Sequence, residues 1–188
     1  MNKKVLTRFG FAAFVLFAGY IAYSQQVTPP AVVELVKNTD PVVAVRLKAQ
    51  ANLLGQAFVA KNYEAIVAAT YPKVVEMLGG KDAMAAFLKK SEDPTVSVVS
   101  VTIGEPFAIV ESNGELQAVV PETIVLAVEG GRTTLQSEII GISVDQGETW
   151  TFIDASKITD ISEIRSVNPN ISSRLVLSPK VEPVFVGN

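Results

Sequence analysis

The spacing of apolar residues divides the chain into a helical first part and a strand-rich second part. Apolar side chains recur every three or four residues from Val43 to Phe58, which predicts a helix with one buried face over residues 41–60. Asp40-Pro41 can begin this helix, because a carboxylate caps free N–H groups and proline needs none at the first position. Shorter helical patterns follow as far as Lys90. We therefore predict a helical segment between residues 41 and 90.

After Pro94 the apolar residues alternate with polar ones, as in β-strands. Within the first alternating stretch the apolar parity changes near Val98, and a β-bulge would explain that change. Ser112-Asn113-Gly114 is a strong hairpin signal. Five strands are predicted, over residues 96–103, 107–111, 116–128, 133–143 and 149–154. Helices followed by an antiparallel meander predict an α+β domain.

This order of elements resembles the NTF2-like, or cystatin-like, superfamily over residues 41–156. The resemblance rests on the opening amphipathic helix, the helical segment "NYEAIVAATYP" at residues 62–72 and the strands that follow. It implies N-terminal helices packed on a curved antiparallel sheet that forms a cone. We assign residues 41–167 to this domain and residues 168–188 to an extended C-terminal arm that lies against it.

Residues 1–24 have the features of an export signal. Three basic residues precede the uninterrupted apolar run from Phe9 to Tyr23, and the small residues Ala22 and Ser24 suit cleavage before residue 25. Fifteen apolar residues are short for a spanning helix, which needs about 20. We therefore expect a periplasmic or secreted protein, with a retained signal-anchor as the alternative. Residues 25–40 are predicted to be a linker.

Charge restricts the partners that this chain can have. Residues 1–24 hold three of the 16 basic residues and none of the 19 acidic ones, so residues 25–188 carry 13 basic and 19 acidic residues, a net charge of −6. The four arginines in this range are dispersed. An acidic chain without basic clusters is a poor candidate for binding nucleic acid or anionic lipid. We expect a small apolar ligand or a protein partner, and a homodimer is one form of the latter.

The chain contains no cysteine and no histidine. Disulfides, thiol nucleophiles and thiolate metal sites are therefore excluded. The commonest general base and the commonest transition-metal ligand are also missing. Any catalysis must use Asp, Glu, Lys, Tyr, Ser or Thr, and we expect neither a metal nor a cofactor.

The stretch "SVDQGETWTF" resembles the Asp-box of sialidases and related β-propellers. A single copy cannot form a propeller, which needs several four-stranded blades. In such a hairpin the aspartate accepts backbone N–H bonds, glycine supplies a positive φ and tryptophan packs beneath. We therefore expect a structural role for Ser143, Asp145, Gly147 and Trp150.

Glu122 is the one acidic residue whose parity places it among apolar neighbours, between Val120 and Ile124. Facing inward, its carboxyl would have a raised pKa and could act as an acid or a base. Facing outward, it would be an ordinary surface residue, because Pro121 would interrupt the strand ladder. We favour the outward orientation.

Three other polar side chains bear on the location of a site: Tyr71, Glu76 and Glu138. Tyr71 and Glu76 flank the junction of two short helices, near the predicted mouth of the cone, and are candidates for ligand binding with Glu122. Glu138 shares its parity with Arg132 and Gln136, which predicts a solvated face. These assignments name residues at a pocket mouth and do not identify a ligand.

The sequence favours a non-catalytic, exported domain that binds a small apolar ligand or a protein partner, because a hollow cone built from this composition would have apolar walls. One alternative is an isomerase or dehydratase that uses Glu122, since some NTF2-like proteins are enzymes of that kind. The other alternative is a structural accessory of the cell envelope whose C-terminal arm docks on a partner.

Overall fold

A computed structural model describes residues 41–188. Its elements are α1 (Pro41–Val59), α2 (Tyr63–Ala69), α3 (Pro72–Met77), α4 (Lys81–Lys90), β1 (Ser97–Ile103), β2 (Ile109–Ser112), β3 (Glu115–Val128), β4 (Gly131–Ser143), β5 (Thr151–Asp154), a 3₁₀ helix (Ile161–Ser166) and β6 (Val184–Gly187). The predicted export signal and linker lie outside the described residues. None of the helices between residues 41 and 188 has the length and apolar character needed to cross a bilayer.

The six strands form one open antiparallel sheet. Its main order is β1-β3-β4-β5, while β2 also pairs with β3 and β6 also pairs with β4. The register between β1 and β3 shifts between Val98 and Ser100, so the predicted bulge is confirmed. The predicted fold class is likewise confirmed as α+β, with helices packed against an antiparallel sheet. The sixth strand was not predicted.

One face of the sheet, which we call the helix-side face, packs against the helices. The sheet contributes Ala118 and Val120 of β3, Ile139 of β4 and Phe152 of β5. The helices contribute buried side chains from all four elements: Leu47, Ala51, Leu54, Phe58, Ile66, Val75, Met84 and Leu88. The packing is close, since a Cβ added at Gly141 would lie 2.7 Å from Leu47 Cδ1. Apolar side chains therefore fill the space between α1 and this part of the sheet.

The opposite face, which we call the arm-side face, is covered by the chain that follows β5. Val119 of β3, Ile140 of β4 and Ile153 of β5 are buried there. The covering chain contributes Ala155, Ile158, Ile164, Val167, Ile171 and Leu175. The central strands are therefore covered on both faces, and Ile171 and Leu175 of the predicted arm are part of the core, whereas residues 178–182 and 184–188 are exposed.

A buried polar cluster holds the arm in place. The Glu115 carboxylate accepts hydrogen bonds from the side-chain amides of Gln117 at 2.8 Å, Asn168 at 2.7 Å and Asn170 at 3.2 Å. Gln117 Oε1 in turn accepts the backbone N–H of Ser172 at 2.9 Å. Because a buried carboxylate is costly without such donors, this cluster fixes where the C-terminal residues can lie.

The prediction that Glu138 faces solvent is wrong. Its side chain is buried, and both carboxylate oxygens accept the backbone N–H of Ser178, at 3.0 and 3.1 Å. Lys180 Nζ lies 3.9 Å from Glu138 Oε2. The reason is that the C-terminal chain crosses this part of the arm-side face, whereas Arg132 and Gln136, farther along β4, remain exposed.

Candidate functional site

The side chains of Ser143, Asp145 and Trp150 make hydrogen bonds within the hairpin between β4 and β5, while Gln50 of α1 accepts Trp150 N–H at 2.7 Å and donates to Glu148 O at 2.9 Å. Asp145 accepts the backbone N–H of Thr149 at 2.9 Å and its hydroxyl at 2.6 Å, and Ser143 donates to Asp145 at 2.8 Å. Gly147 N–H donates to Ser143 Oγ, and the indole N–H of Trp150 donates to Gly147 O. The hydrogen bonds from Thr149 and Ser143 lower the pKa of Asp145 to about 2. All of these bonds stabilise the turn.

Gly147→Ala should destabilise the protein more than Gly130→Ala does. Both glycines have positive φ, +90° and +79°, so both variants carry backbone strain. At Gly147 the added Cβ would also lie 2.6 Å from Val43 Cγ1 on α1, while at Gly130 nothing lies within 4 Å. We expect a further loss of about 1–3 kcal/mol for Gly147→Ala, measured by urea unfolding. Equal losses for the two variants would show that the hairpin does not press on α1.

Pro121 lies within β3 without ending it. The backbone oxygen of Pro121 accepts Gly104 N–H at 2.8 Å, so the edge of Pro121 that lacks an N–H faces the end of β1. Proline has no N–H to donate, and on this edge β3 needs no donor at Pro121, because β1 has ended and β2 has not yet begun. On the other edge β3 still pairs with β4 at Pro121, which lies opposite Glu138. Glu122 therefore keeps the parity of its apolar neighbours and is only 4% exposed. Our preferred outward orientation of Glu122 is wrong.

Glu122 lies in an apolar part of the helix-side face. Val120 and Ile124 flank it along β3, and its cross-strand partners are Ile103 on β1 and Ser137 on β4. Among the described residues, neither Glu122 Oε1 nor Ser137 Oγ has a hydrogen-bond partner of ordinary geometry. Buried polar atoms are almost always paired, so an unpaired carboxyl oxygen needs a physical explanation.

A second carboxyl, that of Asp154, lies on the same face at the end of β5. Asp154 pairs with Ile139 and follows Phe152 by two residues, which gives it the same orientation as those buried side chains. It is partly exposed, and its two oxygens accept the backbone N–H of Ser156 at 2.9 Å and the Ser156 hydroxyl at 2.8 Å. The sequence analysis did not identify Asp154. Alternation along β5 puts Asp154 on the same face as Trp150 and Phe152, so the pattern contained this information.

The pKa values of both carboxyls are raised. Burial, and then the negative charge of Asp154, raise the pKa of Glu122 to about 8, and the nearby Ser137 hydroxyl offsets only part of this rise. Burial raises the pKa of Asp154 to about 7, against hydrogen bonds from Ser156 and the charges of Lys180 and Lys157. Both shifts favour the protonated carboxyl, and the pKa of Glu122 is the higher of the two. One face thus presents an acid on β3 and a potential base on β5, with β4 between them.

The other predicted ligand-binding residues lie elsewhere. Tyr71 packs against the arm-side cluster, and burial followed by the charge of Glu115 raises its pKa. Glu76 is exposed and pairs with Lys73 at 2.8 Å. The structure therefore places Tyr71 and Glu122 on different faces of the sheet. Residues 41–188 contain no group of three or more acidic side chains placed to hold a metal ion.

Comparisons with known proteins leave the activity open. No protein-family model matches the chain. No curated protein sequence matches it either. Among solved structures, the chain is similar to an LEH-like epoxide hydrolase of M. tuberculosis, with 11% identity and a TM-score of 0.34, over 59% of this chain and 79% of that one. Similarity at this level says nothing about activity.

Proposed function

We propose that Glu122 and Asp154 form an acid–base site that moves protons on a small, uncharged and largely apolar substrate. The observation that carries this proposal is the Glu122 carboxyl, which is buried with one oxygen unpaired and lies near a second carboxyl on the same face. Carboxyls kept only for stability are usually satisfied, as Glu115 and Glu138 are in this protein. Strongly shifted pKa values together with a charge partner are typical of functional sites.

The surroundings restrict the substrate. The side chains next to Glu122 along β3 and on β1 are apolar, so they favour hydrocarbon over charged groups. Two neighbouring carboxyls would repel an anion. Glu122 is almost fully covered, whereas Asp154 is partly exposed, so a substrate would enter from the Asp154 side. These features together favour a neutral molecule with a single oxygen acceptor.

The pair suits proton transfer next to a carbonyl group. Ionised Asp154 would accept a proton from the carbon adjacent to the carbonyl, and protonated Glu122 would donate its proton to the carbonyl oxygen, giving an enol. If a C=C bond is conjugated with this enol, Asp154 would return its proton to the far carbon of the dienol while the enol hydroxyl returns its proton to Glu122, which completes an isomerisation of the double bond and restores both carboxyls. Each step moves one proton between positioned groups, which is general acid–base catalysis.

Non-catalytic binding of a small apolar ligand is the second candidate. It is favoured by the protonated state of Glu122 at neutral pH, because a neutral carboxyl can donate one hydrogen bond to a ligand within apolar walls. Both functions would be carried out outside the cytoplasm if residues 1–24 act as the export signal that we infer from their sequence.

The decisive measurement is a carbon-13 NMR titration of the side-chain carboxyls of Glu122 and Asp154. We expect midpoints far above those of exposed carboxyls, near 8 for Glu122 and near 7 for Asp154. A Glu122 midpoint near its usual value of 4.5 would refute both candidate functions of this site.

Hydrogen–deuterium exchange at the carbon beside the carbonyl of small ketones then separates the two candidates. Catalysis predicts that the protein accelerates the exchange, and that Glu122→Gln or Asp154→Asn slows it about a hundredfold. Glu76→Gln, which changes an exposed carboxylate, is the matched control. A raised Glu122 midpoint with ketone binding but no accelerated exchange would favour the non-catalytic function.

A further inference from the structure

The C-terminal chain brings a lysine to the edge of the proposed site. Ser178 is fixed on β4 by its two hydrogen bonds to Glu138, and Lys180 follows two residues later. Lys180 Nζ donates to the backbone oxygen of Ala155 at 2.7 Å, and Ala155 is the residue directly after Asp154. Ala155 N–H also donates to the backbone oxygen of Glu138 at 3.0 Å. The ammonium group is therefore tied to the Asp154 end of the carboxyl pair.

We propose that Lys180 is a positioning residue that favours ionisation of Asp154, so that Asp154 is the base and Glu122 the acid. This inference rests on the proposed function, because it assigns the acid and base roles within the same pair. The two carboxyls differ in their neighbours: Asp154 has Lys180, Lys157 and the Ser156 donors close by, whereas Glu122 has apolar side chains and the Ser137 hydroxyl. Positive charge on one side of a coupled pair favours ionisation on that side.

Glu138 sets the strength of this effect. Its carboxylate lies 3.9 Å from the Lys180 ammonium on the arm-side face, so it neutralises part of the positive charge that Asp154 experiences. The Lys180 side chain keeps 31% of its exposure, and solvent therefore screens its charge further. The charged groups that act on Asp154 are thus Lys180 and Lys157, with Glu138 acting through Lys180.

The test is the Asp154 titration midpoint in variants of the full chain. Lys180→Gln should raise the midpoint, and the pH profile of ketone exchange should move in the same direction. Lys180→Arg, which keeps the charge, should restore both. Glu138→Gln should lower the midpoint, because Lys180 then loses its opposing charge. The opposite shifts of the Asp154 midpoint separate the two explanations, because simple loosening of the C-terminal chain would shift this midpoint in the same direction in Lys180→Gln and Glu138→Gln.

Added salt provides a second check. The difference between wild type and Lys180→Gln should shrink at high ionic strength, because the ammonium is partly exposed. An unchanged Asp154 midpoint in Lys180→Gln, with Glu122 still titrating near 8, would overturn the role of Lys180 and leave the acid–base site standing. Ordinary midpoints for both carboxyls in the wild type would instead overturn the proposed function itself.

Discussion

The unfolding free energy of the wild-type protein should fall as the pH rises from about 4.5 to about 8. Below this window Glu122 is protonated in both the folded and unfolded states, so it has no effect on stability. Within the window the folded protein keeps a proton that the unfolded chain has released, which destabilises the fold by about 1.4 kcal/mol per pH unit. The total loss is on the order of 3–5 kcal/mol, and it is complete above the folded pKa.

Glu122→Gln removes one of two titrating groups and should make this part of the pH profile shallower, leaving the slope that the raised pKa of Asp154 produces. Above pH 8 we expect the variant to exceed the wild type in stability by roughly 2–4 kcal/mol, and this advantage should disappear near pH 4. Urea unfolding followed by the fluorescence of Trp150, the single and buried tryptophan, measures both proteins. Glu76→Gln is the surface control. Parallel pH profiles for wild type and Glu122→Gln would mean that the carboxyl is solvated.

Glu115→Ala should destabilise the protein by about 3–5 kcal/mol, because it removes the acceptor of three side-chain amides at the base of the arm-side face. Gln117 and Asn168 are buried, so their amide groups would lose a partner without gaining water in exchange. The loss should be visible as faster hydrogen exchange at residues 168–175, before the rest of the sheet is affected.

Glu111→Ala is the matched control for this experiment. Glu111 lies on β2 in the same hairpin, but its side chain is exposed, so its removal should change stability by less than about 0.5 kcal/mol. Similar losses for the two variants would contradict the assignment of Glu115 as the anchor of the C-terminal chain. A loss for Glu115→Ala without faster exchange at residues 168–175 would place its effect in the sheet instead.

The helices and most strands could be predicted because each is specified by a local pattern. The apolar spacing of α1 and the Asn62 cap, whose side chain accepts Ala65 N–H at 3.1 Å, are properties of adjacent residues. The bulge in β1 left a visible change of parity between Val98 and Ser100. By contrast, β6 is only four residues long, and its position is determined by its pairing with a distant strand, β4.

The candidate site was predicted only in part, for a similar reason. Parity placed Glu122 on the correct face, but the effect of Pro121 depends on which edge of β3 its nitrogen meets. On that edge no neighbouring strand needs a backbone N–H from residue 121, because the chain passes from β1 to β2 there. Asp154 lies on the same face as Glu122 through the consecutive order β3-β4-β5 of the predicted meander, and it was missed because the parity of Phe152 was not followed to the end of β5. Glu138 appeared solvated because the chain that buries it comes 40 residues later.

The crossing of the C-terminal chain over the arm-side face also has a consequence for biosynthesis. Glu115 receives donors from Asn168 and Asn170, Glu138 receives its donor from Ser178, and residues 131–134 of β4 pair with β6. A nascent chain that has reached only β5 therefore exposes apolar side chains on one face of its sheet, with two carboxylates among them. Those charges oppose premature burial or stacking of that face against another chain. The arm-side face can be covered only after residues 168–178 have been synthesised, and until then the carboxylates of Glu115 and Glu138 favour its hydration.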